Sequence, residues 1–176
     1  LRAAGARGLL AVGRCQPPEG QALGFAINVA IGGWGHTVFC TEVIARPIGK
    51  AESFDALVAD MAVGAVGTLV ILDANPVYAS FADSDFAGLM RRVPMRLHAG
   101  LFHDEPAAAA DWHLPMSHPL ESWSDARAVD GTATVIQPII SPLYDTRSIH
   151  EIVALLLAEP PGDGRSIVAA TWAEAL

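Results

Sequence analysis

Four histidines, His98, His103, His113 and His118, share one stretch of chain with Asp104 and Asp111. Imidazole and carboxylate are ligands for zinc and related ions, so a metal centre is the first chemistry this stretch suggests. Zinc sites draw two ligands at short spacing from one element. Here His98 and His103 straddle the end of a strand-like run, and His113 and His118 flank Pro115. That arrangement predicts surface and edge histidines and no metal ligand set. Ser117 and Ser141 lie near these histidines, but no Gly-x-Ser-x-Gly elbow exists to expose a nucleophile. No catalytic residue is predicted. Gly32-Gly33-Trp34-Gly35-His36-Thr37 superficially suggests a phosphate loop. A phosphate loop needs a Lys before the Thr and a strand before the glycines. His36 stands in place of that Lys and a helical pattern comes first, so glycines closing a helix are expected. Glu121, Asp125 and Asp130 read as carboxylates of a solvated loop. Asn75-Pro76 is more informative. It follows the most apolar strand of the chain, and open parallel sheets bind ligands outside the carboxyl ends of their strands.

The chain has 176 residues, of which 52% are hydrophobic and 17% charged. Disorder needs low hydrophobicity and high charge, so a packed domain is expected. The longest apolar runs fall far short of the ~20 residues of a membrane-crossing helix. Nineteen acidic against eleven basic residues give a net charge of −8, which argues against nucleic acid and against an anionic membrane as partners. Cys15 and Cys40 are too few and too far apart for a zinc or iron–sulfur set. A buried free thiol is the expected state of each, with one disulfide as the alternative. The chain opens Leu1-Arg2-Ala3-Ala4 with no signal pattern, and it reads as a piece of a longer protein.

The elements that must position these residues alternate in type. Leu9–Val12 and Thr37–Cys40 read as short strands, and Glu19 to Ile31 between them as a helix. Phe54, Leu57, Val58 and Met61 form one apolar helical stripe after Lys50. Thr68–Leu72 is a continuous β-branched strand and the expected centre of a sheet. Asp83 can cap a helix with Phe86, Leu89, Met90 and Val93 on one face, with Asp85 near its start. Met95 to Leu101 alternates like a half-covered strand. A helical turn at Ala107–Ala110 and a short strand at Trp112–Leu114 follow. Residues 119–131 read as irregular, and Thr132–Ile136 as a strand. Ser148-Ile149-His150-Glu151 has the capping-box pattern before a stripe of Ile149, Ile152, Val153 and Leu156. A last helix is expected over Ser166 to Glu174. Together these predict one α/β domain over residues 1–176, with a mostly parallel sheet of about five strands and helices on both faces.

Several segments occur in the order found in the molybdopterin oxidoreductase family. Ala26-Ile27-Asn28-Val29-Ala30-Ile31-Gly32-Gly33-Trp34-Gly35 resembles the family's Ala- and Asn-rich helix ending in Gly-Asn-x-Gly. Leu69 to Pro76 resembles the strand ending in Gly-x-Asn-Pro. Asp104-Glu105 through Asp111-Trp112-His113-Leu114-Pro115 resembles the acidic stretch that ends Ala-Asp-x-x-Leu-Pro, and Glu121 and Gly131-Thr132 fit the Glu and Gly-Thr beyond it. The molybdopterin-like subunit of alternative complex III and of polysulfide-reductase-like complexes is closer still. That group resembles this chain in Gln16-Pro17-Pro18, Asn75-Pro76-Val77-Tyr78, Glu121-Ser122-Trp123-Ser124-Asp125-Ala126-Arg127 and Gln137-Pro138-Ile139-Ile140-Ser141-Pro142-Leu143-Tyr144.

The resemblance implies a dinucleotide-binding-like region of a large oxidoreductase subunit. In active relatives this region holds part of a bis-(molybdopterin guanine dinucleotide) cofactor, which would place Asn75, Pro76, Asp104, Glu121, Gly131 and Thr132 at a cofactor crevice, vestigial here. In the complex III relatives this half is cofactor-free, and iron–sulfur clusters elsewhere in the subunit carry the electrons. Active members follow Gly-Thr with Asn and Arg-containing polar residues, whereas this chain has Ala133-Thr134-Val135-Ile136-Gln137. Phosphates without Arg or Lys partners are poorly held. The implied role is a cofactor-free structural and interaction part of an electron-transfer complex, with its other subunits as partners, membrane association through them, and a periplasmic location. Two alternatives stand beside it: part of the cofactor-binding body of an active enzyme, and a stand-alone nucleotide- or small-ligand-binding domain.

Overall fold

The computed structural model describes residues 1–13, 15–41, 53–80, 84–160 and 162–175. They fall in two compact units, one of Leu1–Ile44 with Val129–Gly131 and one of Ala45–Ala128 with Thr132–Leu176. The expected cap Asp83 and the residues around Lys50 lie outside the described residues.

In the first unit, a 3₁₀ turn at Gly5–Arg7 precedes helix α1, Pro18–Ala30. Leu9–Val12 is not a strand. Its backbone is satisfied instead by a side chain, because Asn28 accepts from Leu10 N–H at 2.8 Å and donates to the Leu10 carbonyl at 2.9 Å. Asn28 is buried, so this pairing meets the requirement a sheet partner would otherwise meet. Gly24 lets the segment approach the helix, since a Cβ there would lie 2.1 Å from the Val12 side chain. Gly32 closes the helix at φ 79°, as a helix terminus requires, and Gly35 takes φ 77° in the turn between Trp34 and Val38. Thr37–Cys40 is also not a strand; only an isolated bridge joins Trp34 to Val38. Cys15 and Cys40 are free and exposed, not buried, because each sits in a loop.

The second unit is α/β. A parallel sheet of three strands runs in the order β1 (Thr68–Leu72), β2 (Met95–Gly100), β3 (Trp112–Pro115). The expected parallel sheet of about five strands, drawn from six candidate segments, is therefore corrected to three strands among the described residues. Two of the expected strands lie in the first unit as irregular chain. The third, Ala133–Ile136 (β5), pairs antiparallel with Ser124–Arg127 (β4) as a separate ribbon. Strand β4 carries no apolar alternation, so its sequence reads as loop.

Helices α2 (Phe54–Ala62), α3 (Pro76–Ala79), α4 (Phe86–Met90) and α5 (Glu105–Ala109) precede or connect the strands. Ser53 caps α2 and Asp85 caps α4 by accepting from Ala56 and Gly88 N–H. One sheet face packs Leu69 and Ile71 against Met61, Phe86, Met90 and Val93. The opposite face joins Ala99 to Met116 and to Ile152 of α6, Ile149–Leu156. Ser148 caps α6 with the reciprocal Glu151 contact that the sequence predicts. Helix α7, Gly164–Ala175, completes the unit. Its Trp172 indole donates to Asp125 at 3.2 Å, and the Arg127 guanidinium lies 5.0 Å above the same ring. Among the described residues, no helix is long and apolar enough to cross a membrane.

Candidate functional site

Parallel strands β1 and β2 end side by side, and a crevice of about 190 Å³ opens there. Asp73, Asn75, His98, Gly100, Phe102 and Asp104 line it. The chain turns out of β1 through Asp73, whose φ of 49° is a left-handed conformation that Asp tolerates better than most residues. Asn75 then caps α3. Its Oδ1 accepts from Tyr78 N–H at 2.9 Å, and Pro76 occupies the first turn, where a missing N–H costs nothing. The other end of the same amide donates to Glu105 Oε2 at 2.7 Å. This bond is the main cause that holds the Glu105 carboxyl below its ordinary range. Asp104 caps α5, accepting from Ala107 N–H at 3.3 Å. The crevice is therefore flanked by two helix starts whose N–H groups are engaged by the protein's own side chains.

The floor holds the histidine chemistry. His98 is 1% exposed, which corrects the expectation of surface and edge histidines. Strand register explains it: His98 of β2 lies directly beside His113 of β3. Their Nδ1 atoms are 3.0 Å apart, so one donates and the other accepts, and the buried imidazole is satisfied. The rings stack at 5.1 Å, and His103 meets His113 edge-on at 5.4 Å. Burial, then the neighbouring His98 and His103, pushes the His113 pKa down. Asp104 stands 3.8 Å from His98 Nε2. Gly100 cannot be larger, because a Cβ would come within 2.8 Å of the His98 ring. Among the described residues, no group of three His, Cys, Asp or Glu could hold a metal ion. At the far end of β2, Arg96 pairs with Asp111 through two guanidinium nitrogens, one of them at 3.0 Å, and pins the start of β3.

The residues that the sequence groups at one crevice fall in separate places. Asn75, Pro76 and Asp104 meet at the strand ends. Glu121 instead accepts from His118 N–H at 2.9 Å and Leu143 N–H at 3.1 Å, which tie two loops together and lower its pKa. It lines a second cavity of about 230 Å³ with Trp123, Thr146 and Ser148. Gly131 takes φ 89° in the turn of the β4–β5 ribbon, and the Thr132 carbonyl accepts from Ala128 N–H at 2.9 Å. The His98–His113 pair escapes a sequence reading because only the β2–β3 register brings together residues fifteen apart. Glu105 is legible as an acid after Asp104, but not as the partner of Asn75 thirty residues earlier.

No protein-family model matches the chain. Over 92 residues it is 31% identical to a protein of Nitratidesulfovibrio vulgaris (strain Hildenborough) named menaquinone reductase, molybdopterin-binding-like subunit. The match takes in 50% of this chain, which spans 13% of that relative's length. The similarity is consistent with a molybdopterin oxidoreductase-like family.

Proposed function

We propose that this chain is a cofactor-free, dinucleotide-binding-like part of a molybdopterin-oxidoreductase-like subunit, acting in structure and assembly within an electron-transfer complex. The observation that carries the reading is the closure of the strand-end crevice on itself. Asn75, whose amide could read a nucleobase edge, is held instead by Tyr78 N–H at its Oδ1 and by Glu105 at its Nδ2. Asp73 and Asp104 line the crevice, and no Arg or Lys is among its lining residues. A pyrophosphate placed there would meet carboxylates without a cation to offset its charge. The residues thus do not fit a guanine dinucleotide, and no chemical step is derived through one. Partner subunits, iron–sulfur clusters elsewhere and a membrane-associated complex belong to the same proposal, supported by the name of the N. vulgaris relative as a reductase subunit.

The test is molybdenum and pterin analysis of the full-length protein purified with its partners. Neither should be found in stoichiometric amount. One pterin dinucleotide per subunit, released with guanine nucleotide on denaturation, would replace this reading with the active-enzyme one.

A further inference from the structure

A further cavity of the second unit lies away from the strand ends. It is a groove of about 840 Å³ between the end of β3 and helix α6. Leu114, Pro115, Ile152 and Ala154 line it, and Leu155 stands beside them 72% exposed. Val153, Leu156 and Leu157 are also exposed, so α6 shows an apolar surface on more than its core side. Exposed apolar surface of this kind, rimmed by polar groups, marks interaction sites in soluble proteins. Four carboxylates, Asp145, Glu151, Glu159 and Asp163, stand around the groove against the single guanidinium of Arg147.

Three of those carboxylates are already engaged. Asp145 holds Arg147 at 2.7 Å, Glu151 accepts from Ser148 N–H at 2.8 Å, and Asp163 accepts from Ser166 N–H at 2.8 Å. What they supply is a negative potential over an apolar floor. A second copy of this chain, at net charge −8, would bring carboxylate rim against carboxylate rim. Anionic lipid meets the same repulsion. The complementary occupant is a protein segment with an apolar stripe flanked by Lys or Arg.

We propose that the α6 groove is a docking site for a basic amphipathic helix of a partner polypeptide. The proposal deepens the assembly reading above and rests on it. The probe is a Leu/Lys peptide of about 18 residues with its leucines at helical spacing, titrated into the 176-residue chain. It should bind, bind more weakly as salt is raised, and bind roughly tenfold more weakly to Leu155→Asp. That substitution adds a negative charge, so attraction by net charge alone would strengthen binding. Glu159→Gln should weaken it modestly, as loss of a rim charge does. The same peptide with Glu for Lys should not bind. Unchanged or tighter binding to Leu155→Asp, or equal binding of the Glu peptide, overturns the proposal. So does a dimer in sedimentation that Leu155→Asp dissolves, or equal binding to neutral phosphatidylcholine vesicles. Circular dichroism of Leu155→Asp checks that it folds, and Leu155→Ala is the milder variant, expected to weaken binding in the same direction. Pterin content of the full-length protein reads the crevice and not the groove, so either reading can fail while the other stands.

Discussion

The strand-end crevice and the α6 groove lie in one α/β unit and differ in how far their side chains satisfy one another. In the crevice, Asn75 joins Glu105 and the Tyr78 N–H, Asp104 caps α5, and His98 is hydrogen-bonded to His113. The groove has an apolar floor with Leu155 left in water and carboxylates only at its rim. A polar hollow whose side chains are already turned toward one another gains little net free energy from a ligand's hydrogen bonds. An apolar hollow offers the free energy of burying its surface. The same comparison separates what these residues do for folding from what they leave available for binding.

The largest effect should come from the floor of the groove. Ile152→Ala removes a 2%-exposed side chain packed on Ala99 and Met116, and should cost about 3 kcal/mol in denaturant unfolding. Loss of that order would show that the groove floor is core and only its rim is free. In the crevice, Asn75→Ala removes the cap of α3 and the partner of Glu105, and should cost about 1 kcal/mol. If it costs nothing, the crevice is not held closed by this amide.

Acid should act on the crevice in two stages. The His113 pKa is lowered from an ordinary 6.5 by burial, so the unfolded chain takes up that proton first. This contribution to stability is complete above pH 6.5 and is lost as pH falls through the lower folded value. The Glu105 pKa is lowered from 4.5 chiefly by Asn75, so its contribution is complete above pH 4.5 and is lost on further acidification. Melting temperature measured against pH should therefore fall in both windows. Asn75→Ala should reduce the loss in the lower one, where Glu121 also contributes, and leave the upper one intact. The smallest effect belongs to the rim. Leu155→Asp, at an exposed position, should change stability by less than about 0.5 kcal/mol while changing peptide binding.

Local signals were legible and long-range ones were not. The Ser148–Glu151 capping box, the α2 stripe ending in Met61 and Gly32 closing α1 depend on neighbours within a turn or two, and each is where its residues suggest. The turn at Asn75-Pro76 was legible for the same reason. Sheet membership was not, because an apolar run does not say what pairs with it. Leu9–Val12 has the pattern of a buried strand, yet Leu10 pairs with the Asn28 side chain. Thr68–Leu72 reads as central, yet among the described residues it stands at one side of the β1-β2-β3 order. The candidate site was legible only in part: Asn75 and Asp104 meet, while Glu121 is drawn to the loop at Leu143. The groove left no motif at all, since it arises from packing α6 beside β3.

The most direct test of crevice closure is calorimetric titration of guanosine diphosphate into the 176-residue chain and its Asn75→Ala variant. With Asn75 engaged by Glu105 and with Asp73 and Asp104 lining the crevice, millimolar nucleotide should give only heat of dilution with both proteins. Micromolar binding to the parent chain that Asn75→Ala abolishes would contradict the account and make the crevice a working nucleotide site.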